Sequence, residues 1–73
     1  MKIKWLEDGE IEVCTNYNEN TDKYDIEILN VKKDEINNVK IYEDEDRIDN
    51  VDIHFENGDI AFCVLKNVFE IVK

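Results

Sequence analysis

The 73-residue chain contains no proline, no serine and only two glycines, two cysteines and one histidine. Each shortage excludes a class of chemistry. Without serine, and without a glycine-rich loop of phosphate-binding spacing, neither a serine nucleophile nor a nucleotide cradle is present. Cys14 and Cys63 form no CxxC pair and no disulfide framework. With no apolar leader ahead of Lys2, they make the cytoplasm the expected compartment. The longest apolar run, Ile60 to Leu65, suits one buried strand. It falls far short of the roughly 18 residues that cross a bilayer as a helix, so no membrane span is expected.

Basic residues are scarce as well. Nine Lys and Arg face nineteen Asp and Glu, a net charge of -10. That balance argues against direct binding to nucleic acid or to an anionic membrane, and favours a basic partner. In a chain poor in apolar residues it would mean disorder. Here 42% of residues are hydrophobic and they are patterned, so a folded core is expected. The length allows one domain, 1–73, with a stability of only a few kcal/mol.

The pattern is that of strands, whose side chains alternate between two faces. Val51, Ile53 and Phe55 alternate with Asp52, His54 and Glu56, and Asn57-Gly58 then offers a type I′ turn. A two-residue turn sets Phe55 opposite Ile60, Ile53 opposite Phe62 and Val51 opposite Val64, giving one apolar face. A second hairpin is expected at the N-terminus, with Met1 to Glu7 returning through Glu10 to Thr15 across Asp8-Gly9. Its favoured form has Gly9 in a left-handed bulge, which aligns Trp5 with Ile11 and Ile3 with Val13.

Tyr24, Ile26 and Ile28 alternate with Asp25 and Glu27, so Lys23 to Val31 is expected as a central strand covered on both faces toward its end. Asn16 to Asp22 suits an exposed connection, and Lys32 to Asn38 a turn. Val39 and Ile41 mark a short strand, and Asn67 to Val72 another with Phe69 and Ile71 inward. The expected fold is therefore all-β: an antiparallel meander of about six strands, curled toward a partly open barrel. The alternative class is α+β.

LEDGEIEVC (Leu6 to Cys14) and FENGDIAFC (Phe55 to Cys63) share Glu, Gly, Ile and Cys at equivalent positions. An old duplication would give two related hairpins, although acidic Gly-turn hairpins also resemble one another by chance. The segment NVDIHFENGDIAFCVLKNVFEI, from Asn50 to Ile71, resembles small proteins carried by bacteriophages and mobile elements. The resemblance implies an accessory role and transfers no catalytic or binding residue.

Three constellations hold residue types capable of chemistry. His54 shares an outward face with Asp52 and Cys63, but nothing fixes a fourth ligand, so no metal site and no cofactor is expected. Cys63 beside His54 lacks an orienting group, and an acidic surface tends to deny a thiolate its stabilising cation. Asp44-x-Asp46 opens like a calcium loop, yet the glycine and the glutamate required at the sixth and twelfth positions are missing. No enzyme is expected.

What remains is the acid itself. Carboxylates at alternate strand positions stand about 7 Å apart, the same order as the charge spacing of a nucleic-acid strand. The candidate partner-binding residues are Asp25, Glu27, Glu43, Asp44, Glu45, Asp46, Asp49, Asp52 and Glu56. Together they suggest an acidic interaction protein, a nucleic-acid mimic that blocks the basic groove of a DNA- or RNA-handling protein in host defence or repair. The alternative is an assembly module that joins another protein, or a second copy, through a β-edge or an apolar sheet face.

Overall fold

A computed structural model describes residues 1–73. The chain is all-β. Seven strands follow in order: β1 (Lys2–Trp5), β2 (Gly9–Asn18), β3 (Lys23–Val31), β4 (Ile36–Asp44), β5 (Arg47–Phe55), β6 (Ile60–Leu65) and β7 (Phe69–Val72), with one 3-10 turn at Lys66–Val68. They form a single antiparallel sheet in the order β3-β2-β6-β5-β4-β1-β7, curled but not closed into a barrel. β4, β5 and β6 are a meander, while β1 and β7 join the far side of β4.

One face of the curled sheet makes the core. Ile3, Trp5, Val13, Val31, Val39, Val51, Ile53, Ala61, Val64 and Phe69 pack together there. Trp5 is 1% exposed, meets the Phe69 ring edge-on at 6.1 Å and donates from its indole nitrogen to Asn37 Oδ1 at 2.7 Å. A tryptophan so placed buries its large apolar body and satisfies its one polar atom together. The β3–β4 turn closes over β1: Asp34 N–H donates to the Trp5 carbonyl, and Trp5 N–H to that of Glu35.

The N-terminal hairpin does not form. β1 pairs with β4 and β7, whereas β2 pairs with β3 and β6. Gly9 opposite Val31 simply opens β2, and only Gly58 among the glycines has positive φ. Alternation tells a strand which face to bury, not which neighbour to take. A local hairpin would give β1 one ladder; its actual position gives it two and seals Ile3 and Trp5. Because Asp8-Gly9 is no hairpin turn, the two similar segments are not a pair of related hairpins.

The C-terminal hairpin forms, with a correction of register. Its loop is Glu56 to Gly58, closed by Phe55 N–H on the Asp59 carbonyl and Gly58 N–H on that of Phe55, with Gly58 at φ +95°. Asn57 does not take positive φ. The longer loop shifts the pairing by one near the turn, so Ile53 faces Ala61 and His54 faces Ile60. An irregularity at Phe62 and Cys63 then restores Val51 opposite Val64. Such a bulge re-aims the side chains it carries, and Phe62 ends 52% exposed.

Lys23–Val31 is a strand with the expected bounds, but it lies at the edge of the sheet. Tyr24, Ile26 and Ile28 are exposed rather than covered, and only Val31 is buried. Asn67 to Val72 divides into the 3-10 turn and β7, where Phe69 is buried and Ile71 is half exposed at the other edge. β4 starts at Ile36, so the connection from β3 is tighter than the Lys32–Asn38 span suggests.

Candidate functional site

No carboxylate is buried, and the core's one polar side chain is Thr15. Three ion pairs form: Lys4–Glu70 at 3.0 Å, Arg47–Asp52 at 2.9 Å and Lys66–Glu43 at 3.4 Å. Sixteen of the nineteen acids therefore have no ion-pair partner.

The nine candidate residues fall into separate groups. Glu43, Asp44, Glu45 and Asp46 cluster at the β4–β5 turn, where Asp44 Oδ1 accepts from Asp46 N–H and Asp44 pairs with Arg47 across a two-residue loop. Asp49 is exposed just beyond, on the returning strand. Between them Ile48 is 78% exposed, the most exposed large apolar side chain of the molecule. Glu56 is at the opposite end of β5, in the loop to β6. Asp25 and Glu27 lie on edge strand β3, separated from the β4–β5 hairpin by β2 and β6.

Asp52 is committed elsewhere. Its two oxygens accept from Arg47 Nη1 and Nη2 at 2.9 and 3.1 Å, and Oδ1 also accepts from Cys63 N–H at 3.1 Å. The Arg47 hydrogen bonds, opposed by partial burial and aided by the Cys63 amide, hold the Asp52 carboxyl below its ordinary value of 3.8. The same carboxylate, against partial burial, keeps Arg47 more firmly charged than usual. This network sits under the Phe62–Cys63 bulge and pins it.

Cys63 gains a neighbour that the sequence concealed. It has φ +56°, and Arg47 Nη1 donates to its Sγ at 3.5 Å. The cation that an acidic surface was expected to deny is present, because Arg47 reaches across from the start of β5. Cys14 is half-buried on β2, and both thiols are free. His54 instead stacks on Tyr42, with ring centroids 4.3 Å apart at 54°. No three His, Cys, Asp or Glu side chains converge as metal ligands.

A second surface emerges that was not singled out residue by residue. Opposite the core, the outer face of β3, β2 and β6 presents Tyr24, Ile26, Ile28 and Phe62 in water, flanked by half-buried Cys14 and Ile60. Register explains it: Ile26 is opposite Cys14, and Cys14 is opposite Ile60 on its other side. A shallow depression of about 540 Å³ lies there, and Tyr17 walls it beside Tyr24. Tyr17 is fixed by donating to Asp22 Oδ1 at 2.6 Å, a bond that raises its phenol above the usual 10.0. The signal was the alternation Tyr24, Ile26, Ile28; placing that strand centrally hid its exposure.

The chain matches no family model, no curated protein and no solved structure. Its site is therefore read from its own geometry. No helix is long and apolar enough to cross a membrane.

Proposed function

We propose that this is a non-enzymatic, cytoplasmic interaction protein that binds a basic protein surface, with the β4–β5 turn as the leading contact. One observation carries the reading: every carboxylate lies outside the core, and most have no cation of their own. Acids kept in water cost the fold little, but their mutual repulsion weakens it, and a Lys- and Arg-rich partner relieves that repulsion. At the turn, Glu43 to Asp46 and Asp49 surround the exposed Ile48, so attraction and an apolar anchor coincide.

The partner class is a nucleic-acid-handling protein whose groove normally receives phosphates, in keeping with an accessory role in countering host defence or repair. The carboxylates on the hairpin take the place of those phosphates. Affinity capture at low salt followed by mass spectrometry tests this. Recovery of such a protein, lost at moderate salt and weakened by Glu45→Lys with Asp46→Lys, is expected. Capture of no nucleic-acid-binding protein, or a complex indifferent to salt, would count against it.

A further inference from the structure

β3 is the one long strand whose outer backbone edge has no partner. Strand edges are ordinarily blunted by brevity, proline, bulges or inward charge, because their free N–H and C=O groups recruit other strands. β7, at the opposite edge, is four residues long. β3 is nine, contains no proline, and has every residue from Lys23 to Ile28 exposed. It is guarded by charge, Asp25 and Glu27 on its core-side face, which disfavours an acidic strand but admits a basic one.

The two faces of that edge differ in chemistry. By register, Asp25 lies opposite Thr15 and Glu27 opposite Val13, both core residues, so these carboxylates point to the concave side. Ile26 and Ile28 lie opposite Cys14 and Glu12 and point to the outer side with Tyr24. A strand laid along this edge would meet acids with every second side chain and apolar groups with the others. Directly opposed pairs of opposite charge, or of apolar groups, favour strand pairing.

We propose that β3 is a strand-addition site for an extended segment of a partner protein in which Lys or Arg alternates with aliphatic residues. The basic side chains of that segment lie beside Asp25 and Glu27, and its aliphatic ones extend the Tyr24, Ile26 and Ile28 face. Charge favours this occupant over a second copy of the chain, whose β3 carries Lys23 as its one cation and cannot set a cation against both Asp25 and Glu27. Antiparallel two-fold pairing of β3 centred on Asp25 or Glu27 sets that acid against itself. Centring on Ile26 sets each Asp25 against the other copy's Glu27, and like charges directly opposite are destabilising.

The inference rests on the reading that the partner surface is basic, and adds where and how a part of it binds. The test is an NMR titration of isotopically labelled protein with a soluble peptide of roughly eight residues, a usual strand length, alternating lysine and valine. A control peptide has the same charges but two prolines, which remove pairing donors. Amide shifts centred on residues 23–28 are expected with the first peptide and not with the second. Asp25→Lys with Glu27→Lys should weaken binding about tenfold, the size of reversing two cross-strand pairs, whereas Glu45→Lys with Asp46→Lys should leave the shifts on β3.

Equal binding of the two peptides, or shifts centred on the β4–β5 turn, would overturn strand addition while leaving the basic-partner reading intact. So would absence of any shift from a protein that still captures a salt-sensitive partner. Sedimentation showing a dimer that Ile26→Lys dissociates would overturn it in favour of self-association. Failure of the capture experiment itself, by contrast, removes the basic partner.

Discussion

The two edges of the sheet are built to opposite ends. At the β7 side, a four-residue strand is held by β1, by the Lys4–Glu70 pair and by Phe69 against Trp5. At the β3 side, a nine-residue strand sends its last residue, Val31, into the core with Leu29 half-buried against it, and leaves the rest in water. Stability is concentrated where the edge is short, and accessible surface where it is long. A chain of this size has little stability to spare, and an edge that contributes little packing can be shaped by binding instead.

The most disruptive way to break this contrast is at Trp5. Trp5→Ala removes a side chain that is 1% exposed and leaves Asn37 without its donor. A loss of about 3–5 kcal/mol is expected, enough to unfold most of the population, and circular dichroism during thermal melting checks it. A smaller effect is expected at Asp52. Asp52→Ala frees Arg47 and the Cys63 amide and should cost about 1 kcal/mol, seen as a drop of several degrees in Tm.

That second contribution depends on pH with a definite sign. The folded-state carboxyl of Asp52 titrates below its ordinary value of 3.8 because Arg47 bonds to its charged form. Its stabilisation is therefore complete above that value and is lost as pH falls through the lower, folded-state one. The Tm gap between the native protein and Asp52→Asn should persist at pH 7 and shrink once pH falls below 3.8. Lys4 behaves inversely: its hydrogen bond to Glu70 raises its ammonium above 10.5, so its contribution is complete at neutrality and is lost as pH rises past this value.

At the β3 side the expected effects are of the other sign, or nearly nil. Thr15 Oγ1 is buried without a hydrogen-bond partner. Thr15→Val replaces that hydroxyl with a methyl group and should stabilise by about 1 kcal/mol, read from urea unfolding. Ile26→Thr, at a side chain 59% exposed, should change stability by less than about 0.5 kcal/mol. A large loss there would mean that β3 packs on something, and the contrast between the edges would fail.

The same contrast governs what was legible in the sequence. Alternation located β3 to the residue and marked Val51, Ile53, Phe55 and their neighbours as strand, because the period of two is local. It could not say that β3 is an edge, since Tyr24, Ile26 and Ile28 look alike whether a neighbour covers them or not. Long-range pairing was the other loss: Asp8-Gly9 is a fair turn signal, yet β1 leaves β2 for β4 and β7 because burying Trp5 between them satisfies more of the chain. The acids were easy to count, but their grouping depends on strand order, so Asp25 and Glu27 fall at one edge and the Glu43 to Asp46 cluster at a turn several strands away. Arg47 beside Cys63 was invisible for the same reason, since it depends on the bulge at Phe62.

Amide hydrogen exchange on the free protein, residue by residue along β3, tests the open edge most directly. Between Lys23 and Ile28, amides bonded to β2 should be protected and the alternate, outward ones should exchange nearly as fast as loop amides. Uniform protection along the whole of β3 would contradict the account, because it would mean that the long edge is already paired.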